Sequence, residues 1–233
     1  MSQEANLDLL EQPLRQPMAE VGQVAAAPAL EHNAKCLQIF AGARQVFMAD
    51  GFDGASMNDV ARAAGVSKGT LYVYFDSKEA LFEALIRHDR TRQAEQLCQF
   101  DAGDHDVGAV LLRFGTKLFE TMAQPEHIAH FRTVMAVVPK FPGIGRAFYE
   151  AGPRVAVGRL SNYLAAQVKS GVLVIDDTEY AAQQFLELCK AGFHLKLILG
   201  VIDQPERAEI ESRVARAVSA FLKIHAALPD KLA

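Results

Sequence analysis

Between Ser67 and Lys78 the sequence sets hydroxyls, cations and phenols at helical spacing: Ser67, Lys68, Thr70, Tyr72, Tyr74 and Lys78, with Gly69 among them. A helix over 68–75 would bury Leu71 and Phe75 and turn Lys68, Thr70, Tyr72 and Tyr74 outward. Turned outward on one helix, such groups can grip phosphates and read base edges in a groove of DNA. Lys68 suits a phosphate or a guanine edge, and the Thr70 methyl suits thymine. Tyr72 and Tyr74 suit a phosphate and a flanking base, and Gly69 lets the backbone approach the sugar-phosphate chain. Other constellations are weaker. His127-Ile-Ala-His130 beside Glu126 has half the ligands of a metal site and no third nearby, so it reads as exposed histidines. Gly143-Ile-Gly145 follows no strand and lacks a phosphate-binding continuation, so it reads as a loop. No nucleophile elbow or close Cys/His pair occurs, and no catalytic residue, metal ligand or cofactor is expected.

The elements that hold the first set are legible. A short helix from about 57 to 64 carries Val60, Ala61 and Ala64, opened by a Ser56/Asp59 capping box. Gly65 stands where the chain must turn, Val66 fills the elbow, and Ser67 caps the second helix. Asp76 and Glu79 suggest a further capping box opening a long helix at Ser77 or Lys78. Upstream, a helix over about 31–49 presents Cys36, Ile39, Phe40, Ala43, Val46 and Phe47 on one face. The loop Gly51-Phe52-Asp53-Gly54 follows, with Phe52 folded back. Two short helices joined by a glycine turn, under a third, make a helix-turn-helix.

From Asn33 to Arg92 the sequence resembles the DNA-binding domain of the TetR/AcrR family of transcriptional regulators. The strings GVSKGTLYVYF and SKEALFEAL, with Ile39, Ala43 and Phe47 upstream, carry the resemblance. It implies DNA contacts at Ser67, Lys68, Gly69, Thr70, Tyr72, Tyr74 and Lys78, and adds Ser56, Met57 and Asn58. Val73 stands where other members often carry an aromatic or polar residue, and it is not assigned a base.

The chain has 233 residues, half of them hydrophobic, which is enough for one large or two smaller domains. Net charge is −4, and residues 31–92 hold eight Lys/Arg against eight Asp/Glu. A nonspecific coat of DNA is therefore excluded, while a specific reader with a few aimed donors is not. Cys36, Cys98 and Cys189 are too scattered for a disulfide framework, and Cys36 and Cys189 lie in apolar stripes as buried small hydrophobes. No apolar run reaches the ~18 residues of a membrane span. The N-terminal residues lack the pattern of a secretory signal. A cytoplasmic location is expected.

Residues 1–31 read as a mobile tail, 32–92 as the DNA-binding domain with its helix-turn-helix at 56–75, and 93–233 as a helical ligand-binding and dimerisation domain. After the long helix (about 77–100, its far half a polar connector), Asp101-Ala-Gly-Asp104 is a break. Helices are then expected over about 106–123, 125–138, 144–151, 153–171, 177–200 and 205–227. Pro125, Pro153 and Pro205 would sit in first turns, and an Asp176/Glu179 box would start the fifth of these helices. The fold class is all-α.

The helix over 177–200 is apolar on two faces: Ala181, Phe185, Leu188, Leu195 and Leu199 on one, Leu186, Cys189, Phe193 and Leu197 on the other. The last helix repeats this, with Ile210, Val214, Ala217 and Phe221 beside Ala215, Val218 and Leu222. A homodimer through a four-helix bundle follows, with Phe185, Leu186, Phe193, Leu197, Val214, Val218, Phe221 and Leu222 at its interface. The family resemblance implies the same arrangement. Candidates for an apolar ligand pocket are Phe114, Met122, Phe131, Met135, Phe148, Tyr163, Phe185 and Cys189, with the loop Pro139–Gly145 as its rim. The expected function is a regulator released from a palindromic operator by a small apolar or amphipathic ligand. Two alternatives stand beside it: a TetR-like DNA binder controlled by a protein partner or acting in chromosome organisation, and a helical enzyme with an inert helix-turn-helix.

Overall fold

The computed structural model describes residues 34–227, so the expected tail lies outside the described residues. These residues form eleven helices: α1 Ala34–Gly54, α2 Met57–Ala63, α3 Lys68–Tyr74, α4 Lys78–Leu97, α5 Val107–Met122, α6 Pro125–Val137, α7 Pro142–Ala151, α8 Pro153–Lys169, α9 Thr178–Lys190, α10 His194–Leu199 and α11 Arg207–His225. The protein is all-α. The one β-like pairing among the described residues is an isolated bridge, Leu173 to Ala226.

The first three helices assemble as their sequence dictates. Ser56 Oγ accepts the Asp59 amide at 3.2 Å and Ser67 Oγ accepts that of Thr70 at 3.0 Å, so each short helix has its start satisfied. At the turn, Val66 N donates to Ala61 O and Gly65 N to Arg62 O, with Gly65 at φ 62. This is the Schellman closure, which needs a residue tolerant of the left-handed region. Gly42 sets the crossing of α1 over α2: a Cβ there would come within 2.4 Å of the Ala64 backbone. Gln38 Nε2 then donates to Ala64 O, fixing the angle. α1 is broken at Gly51, whose φ of 68 and ψ of −178 are not helical, and Phe52 folds back among Phe47, Phe82 and Phe141. The cap of α4 is Ser77, whose Oγ accepts from Ala80 N, rather than Asp76.

The C-terminal helices differ from the expectation in instructive ways. The stretch 177–200 is two helices, since Ala191 leaves helical geometry and Gly192 sits at φ 68. The apolar periodicity runs through this break and hides it. The cap of α9 is Asp177, accepting from Tyr180 N at 2.9 Å, one residue after the expected Asp176. Pro125 and Pro153 open α6 and α8, but Pro205 precedes the cap of α11, and Pro142 opens α7 two residues early. The segment 139–145 therefore does not rim a pocket: Phe141 packs on Phe52, and Ile144 enters the core of the first three helices.

The two-faced apolar character of α9 and α11 is satisfied within one chain. Phe185, Phe193, Leu197, Val214, Val218 and Phe221 are all buried there, packed with α5 and α8. Of the expected interface set, Leu186 and Leu222 are partly open and Val218 lines an open groove beside Leu112 and Ala215, while the others are turned inward.

The division at residue 92 falls inside α4, which runs unbroken from Lys78 to Leu97. Packing crosses it as well, because Val134, Val137 and Ile144 of α6 and α7 share one hydrophobic cluster with α1–α4. Arg87, on α4, pairs with Glu150 of α7. Among the described residues no helix is long and apolar enough to cross a membrane.

Candidate nucleic-acid interface and internal cavity

Burying Leu71 and Phe75 turns one face of α3 fully outward. Lys68, Gly69, Tyr72 and Val73 occupy it, with Asn58 exposed on α2. The Lys68 ammonium lies 5.9 Å from the Tyr72 ring centroid, so a charge and a phenol stand side by side. A methyl at Gly69 would meet only Ser67 Oγ, at 3.8 Å. Nothing inside the protein therefore requires glycine there, although glycine costs about 0.5–1 kcal/mol in a helix relative to alanine. Close approach of an outside partner to the backbone is a sufficient reason.

Other expected positions are engaged internally. Ser67 caps α3 and shares a 2.8 Å hydrogen bond with the Thr70 hydroxyl, which is half-buried. Ser56 bonds the Asp59 carboxylate, and that bond, with Arg62 beside it, holds the Asp59 carboxyl below the usual range. The Met57 side chain is buried in the core, so only its backbone is left to face a partner. Tyr74 is half-buried, its ring 6.4 Å from that of Phe75. Lys78 is a brace: its Nζ donates to Phe52 O at 2.7 Å and Ala55 O at 3.0 Å, over the Phe52 ring. Val73, left without a base in the sequence, is 83% exposed and the most exposed large apolar side chain described. Its position next to Tyr72 on the outward arc was the available signal.

Behind this unit, α4–α9 enclose a cavity of about 360 Å³. Of the expected ligand residues, Met122, Phe131 and Phe148 line it. Phe114, Phe185 and Cys189 are core, packed against α11 and one another. Met135 points to solvent, and Tyr163 instead donates to Asp104 O at 2.8 Å, pinning the loop before α5. Leu97, Cys98, Leu118, Ala156 and Leu186 complete the apolar wall.

The polar wall was not foreseen. Arg90 of α4, only 8% exposed, donates through Nη1 to Gln93 Oε1 at 2.7 Å. The same Nη1 lies 3.2 Å from His127 Nδ1, and the guanidinium carbon is 4.5 Å from the Phe148 centroid. Burial lowers the Arg90 pKa to about 10, with Asp89 opposing the shift. Burial, then the Arg90 charge, push His127 down to about 3, so His127 is a neutral cavity residue and not an exposed one. His194 is also lowered, by burial first, and its Nε2 is buried without a partner. Burial raises the Cys98 thiol to about 11, leaving it protonated. Arg90, Gln93, Leu97 and His127 also line a more open cleft outside, so this wall separates the cavity from solvent.

Known proteins match both parts. Residues 39–85 fit the model of bacterial regulatory proteins of the tetR family, and 109–227 fit that of the AefR-like transcriptional repressor C-terminal domain. The HTH-type transcriptional regulator UidR of Escherichia coli K12 is 39% identical over 70 residues, 30% of this chain and 36% of UidR. The chain thus spans about a third of the length of such curated relatives. Among solved structures, the flavonoid-responsive regulator FrrA is 34% identical with a TM-score of 0.71, covering 82% of this chain and 97% of FrrA. A TetR-family regulator from Mesorhizobium loti, at 23% identity, shares the fold with a TM-score of 0.77 over 82% of this chain and 96% of its own. With the helix-turn-helix, the helical second unit and these matches together, the chain belongs to the TetR family of transcriptional regulators.

Proposed function

We propose that this regulator binds a two-fold symmetric operator as a homodimer and is released by a small ligand with an apolar body in the α4–α9 cavity. The observation that carries the reading is α4 itself. At its start Lys78 braces the loop that leads into α2, and at its end Arg90, Ala94, Leu97 and Cys98 line the cavity. Whatever fills the cavity presses on a rigid rod whose other end holds the reading helices. The name of FrrA marks that protein as responsive to flavonoids, which supports an apolar or amphipathic ligand here.

In this reading Asn58, Lys68, Gly69, Tyr72 and Val73 meet DNA directly, with Val73 on a thymine methyl. Ser67, Thr70 and the Met57 backbone support phosphate contacts. Two copies would place their α3 helices about 34–36 Å apart, or a multiple of it, on one face of the duplex. With the expected interface residues buried, the second copy is covered instead by what α9–α11 leave outside. Leu195, Leu199 and Val201, each 66% exposed, and Ile224, 68% exposed, are its most exposed apolar side chains.

The test is fluorescence anisotropy with the palindromic DNA upstream of the protein's own gene, at two salt concentrations. Tight binding that falls with salt, with a slope near 0.9 per phosphate neutralised, and that is lost in Tyr72→Ala, is the expected result. Failure to bind that DNA, a neighbouring promoter or a genomic library would remove the regulator reading. Palindrome binding that no small molecule alters would leave the DNA reader and remove the ligand. Linkage adds a reciprocal check: operator DNA must weaken the ligand by the factor the ligand weakens DNA.

A further inference from the structure

Arg90 is a buried cation that forms no ion pair among the described residues. Asp89, its neighbour in sequence, is held by Arg44 in a two-point pair, Nε to Oδ2 at 3.0 Å and Nη2 to Oδ1 at 2.5 Å. No carboxylate among the described residues forms an ion pair with Arg90. Its protein partners are the Gln93 amide oxygen, the His127 ring nitrogen and the Phe148 face, all neutral. A buried charge left in this state is costly unless something pairs with it. The rest of the wall does not supply an anion: Cys98 stays a thiol, and Lys190 is itself paired with Glu187. His194 adds a buried ring nitrogen with no partner on the same cavity. Opposite these groups lie Leu97, Leu118, Met122, Phe131, Ala156 and Leu186.

We propose that the cavity selects organic monoanions, a carboxylate or similar oxyanion on an apolar and preferably aromatic body, with Arg90 as the residue that recognises the anion and His194 as a second donor. This rests on the reading that the cavity is the ligand site. The buried Arg90 guanidinium, with Lys190 on the same wall, gives the site positive potential, which opposes a cationic ligand. A neutral ligand would fill the apolar part and leave the guanidinium uncompensated. A carboxylate matches the planar fork of arginine, the geometry in which charge-assisted hydrogen bonds are strongest.

The test uses the full-length protein and two compounds of one shape, 2-naphthoate and the neutral 2-naphthamide, titrated calorimetrically at neutral pH and then added to the protein–operator complex. The carboxylate is expected to bind at least about tenfold more tightly. Arg90→Gln should bring the two affinities together. Gln93→Glu is a second variant that does not remove a core side chain. Gln93 Oε1 already lies 2.7 Å from Arg90, so a carboxylate there supplies the missing partner internally and should abolish the preference for naphthoate. Ala156→Phe, which fills the cavity, should weaken both compounds. Equal or tighter binding of the amide, or a preference that survives both Arg90→Gln and Gln93→Glu, overturns the assignment. If the amide binds as well and still releases DNA, the ligand-released regulator stands and the selection of anions falls. If neither compound binds, the selection of aromatic carboxylates falls, while the ligand-released regulator is decided by the operator assay.

Discussion

Three residues change meaning once the chain is folded. In the sequence, His127 is one of a pair on a polar helix and Arg90 belongs to the polar half of a connector; in the molecule they meet across 37 positions. Contacts that span so far leave no local periodicity, and charged residues without a local partner read as solvated. Lys78 misleads similarly, because its three carbonyl partners lie at the end of α1 and just after it, more than twenty residues earlier. Ser56, Ser67 and Gly65 were legible because their roles are closed within three or four residues. The His127 geometry also carries a prediction. Its folded pKa of about 3 lies below the ordinary 6.5, so the folded protein binds fewer protons than the unfolded chain between those values. Stability is full above pH 6.5 and falls as pH drops toward 3, by about 1 to 2 kcal/mol between pH 7 and 5 for this group. His130 and His194, also lowered, add in the same direction. Urea midpoints measured at pH 7 and 5 should therefore separate more for the wild type than for His127→Gln; equal separations would remove His127 from the acid response.

At the scale of elements, the helix pattern was legible wherever proline or glycine marks a boundary. It failed at 191–193, because side chains on both sides of the break continue one apolar stripe into the same core. That error had a consequence: with the break, Phe185, Phe193 and Leu197 go inward while Leu195 and Leu199 stay outside, so the apolar surface left for a second copy is not the one expected. The α3 helix shows the opposite case, where packing explains too little. Val73, 83% exposed on a seven-residue helix, contributes almost nothing to the fold. Val73→Asn is accordingly expected to leave the melting temperature within about two degrees, since surface changes stay within about 0.5 kcal/mol. It should nevertheless alter base preference at one symmetric pair of operator positions, as a lost apolar contact with thymine is worth on the order of 1 kcal/mol. Affinities for a set of single-base operator variants decide this: an unchanged ranking would move Val73 out of the groove.

For the whole molecule, the helix-turn-helix was readable from the N-terminal sequence and the all-α class from the helical pattern that follows it, while the surface of assembly was not. The surface left for a second copy is known only after the chain's own packing has taken Phe185, Phe193 and Phe221 inward. Leu195→Arg with Leu199→Arg should shift the protein from dimer to monomer in light scattering after size exclusion and weaken operator binding, because each α3 would then engage its half-site alone. A dimer that survives both changes would direct attention to the apolar groove between α5 and α11, lined by Leu112, Ala215 and Leu222.

Val134, Val137 and Ile144 have one more consequence. They lie in a single cluster with Phe47, Leu81 and Phe82, so the DNA-reading end draws part of its interior from helices that also wall the cavity. A chimaera joined at residue 92, with a relative's reading head on this receiver, would keep every helix and yet set side chains from two lineages against each other in that shared interior. Exchange of specificity within this family therefore has a unit larger than the helix-turn-helix. The portable cassette is α1–α4 together with the faces of α6 and α7 that complete it, and a graft that leaves those faces behind should assemble loosely even where its sequence matches a working head.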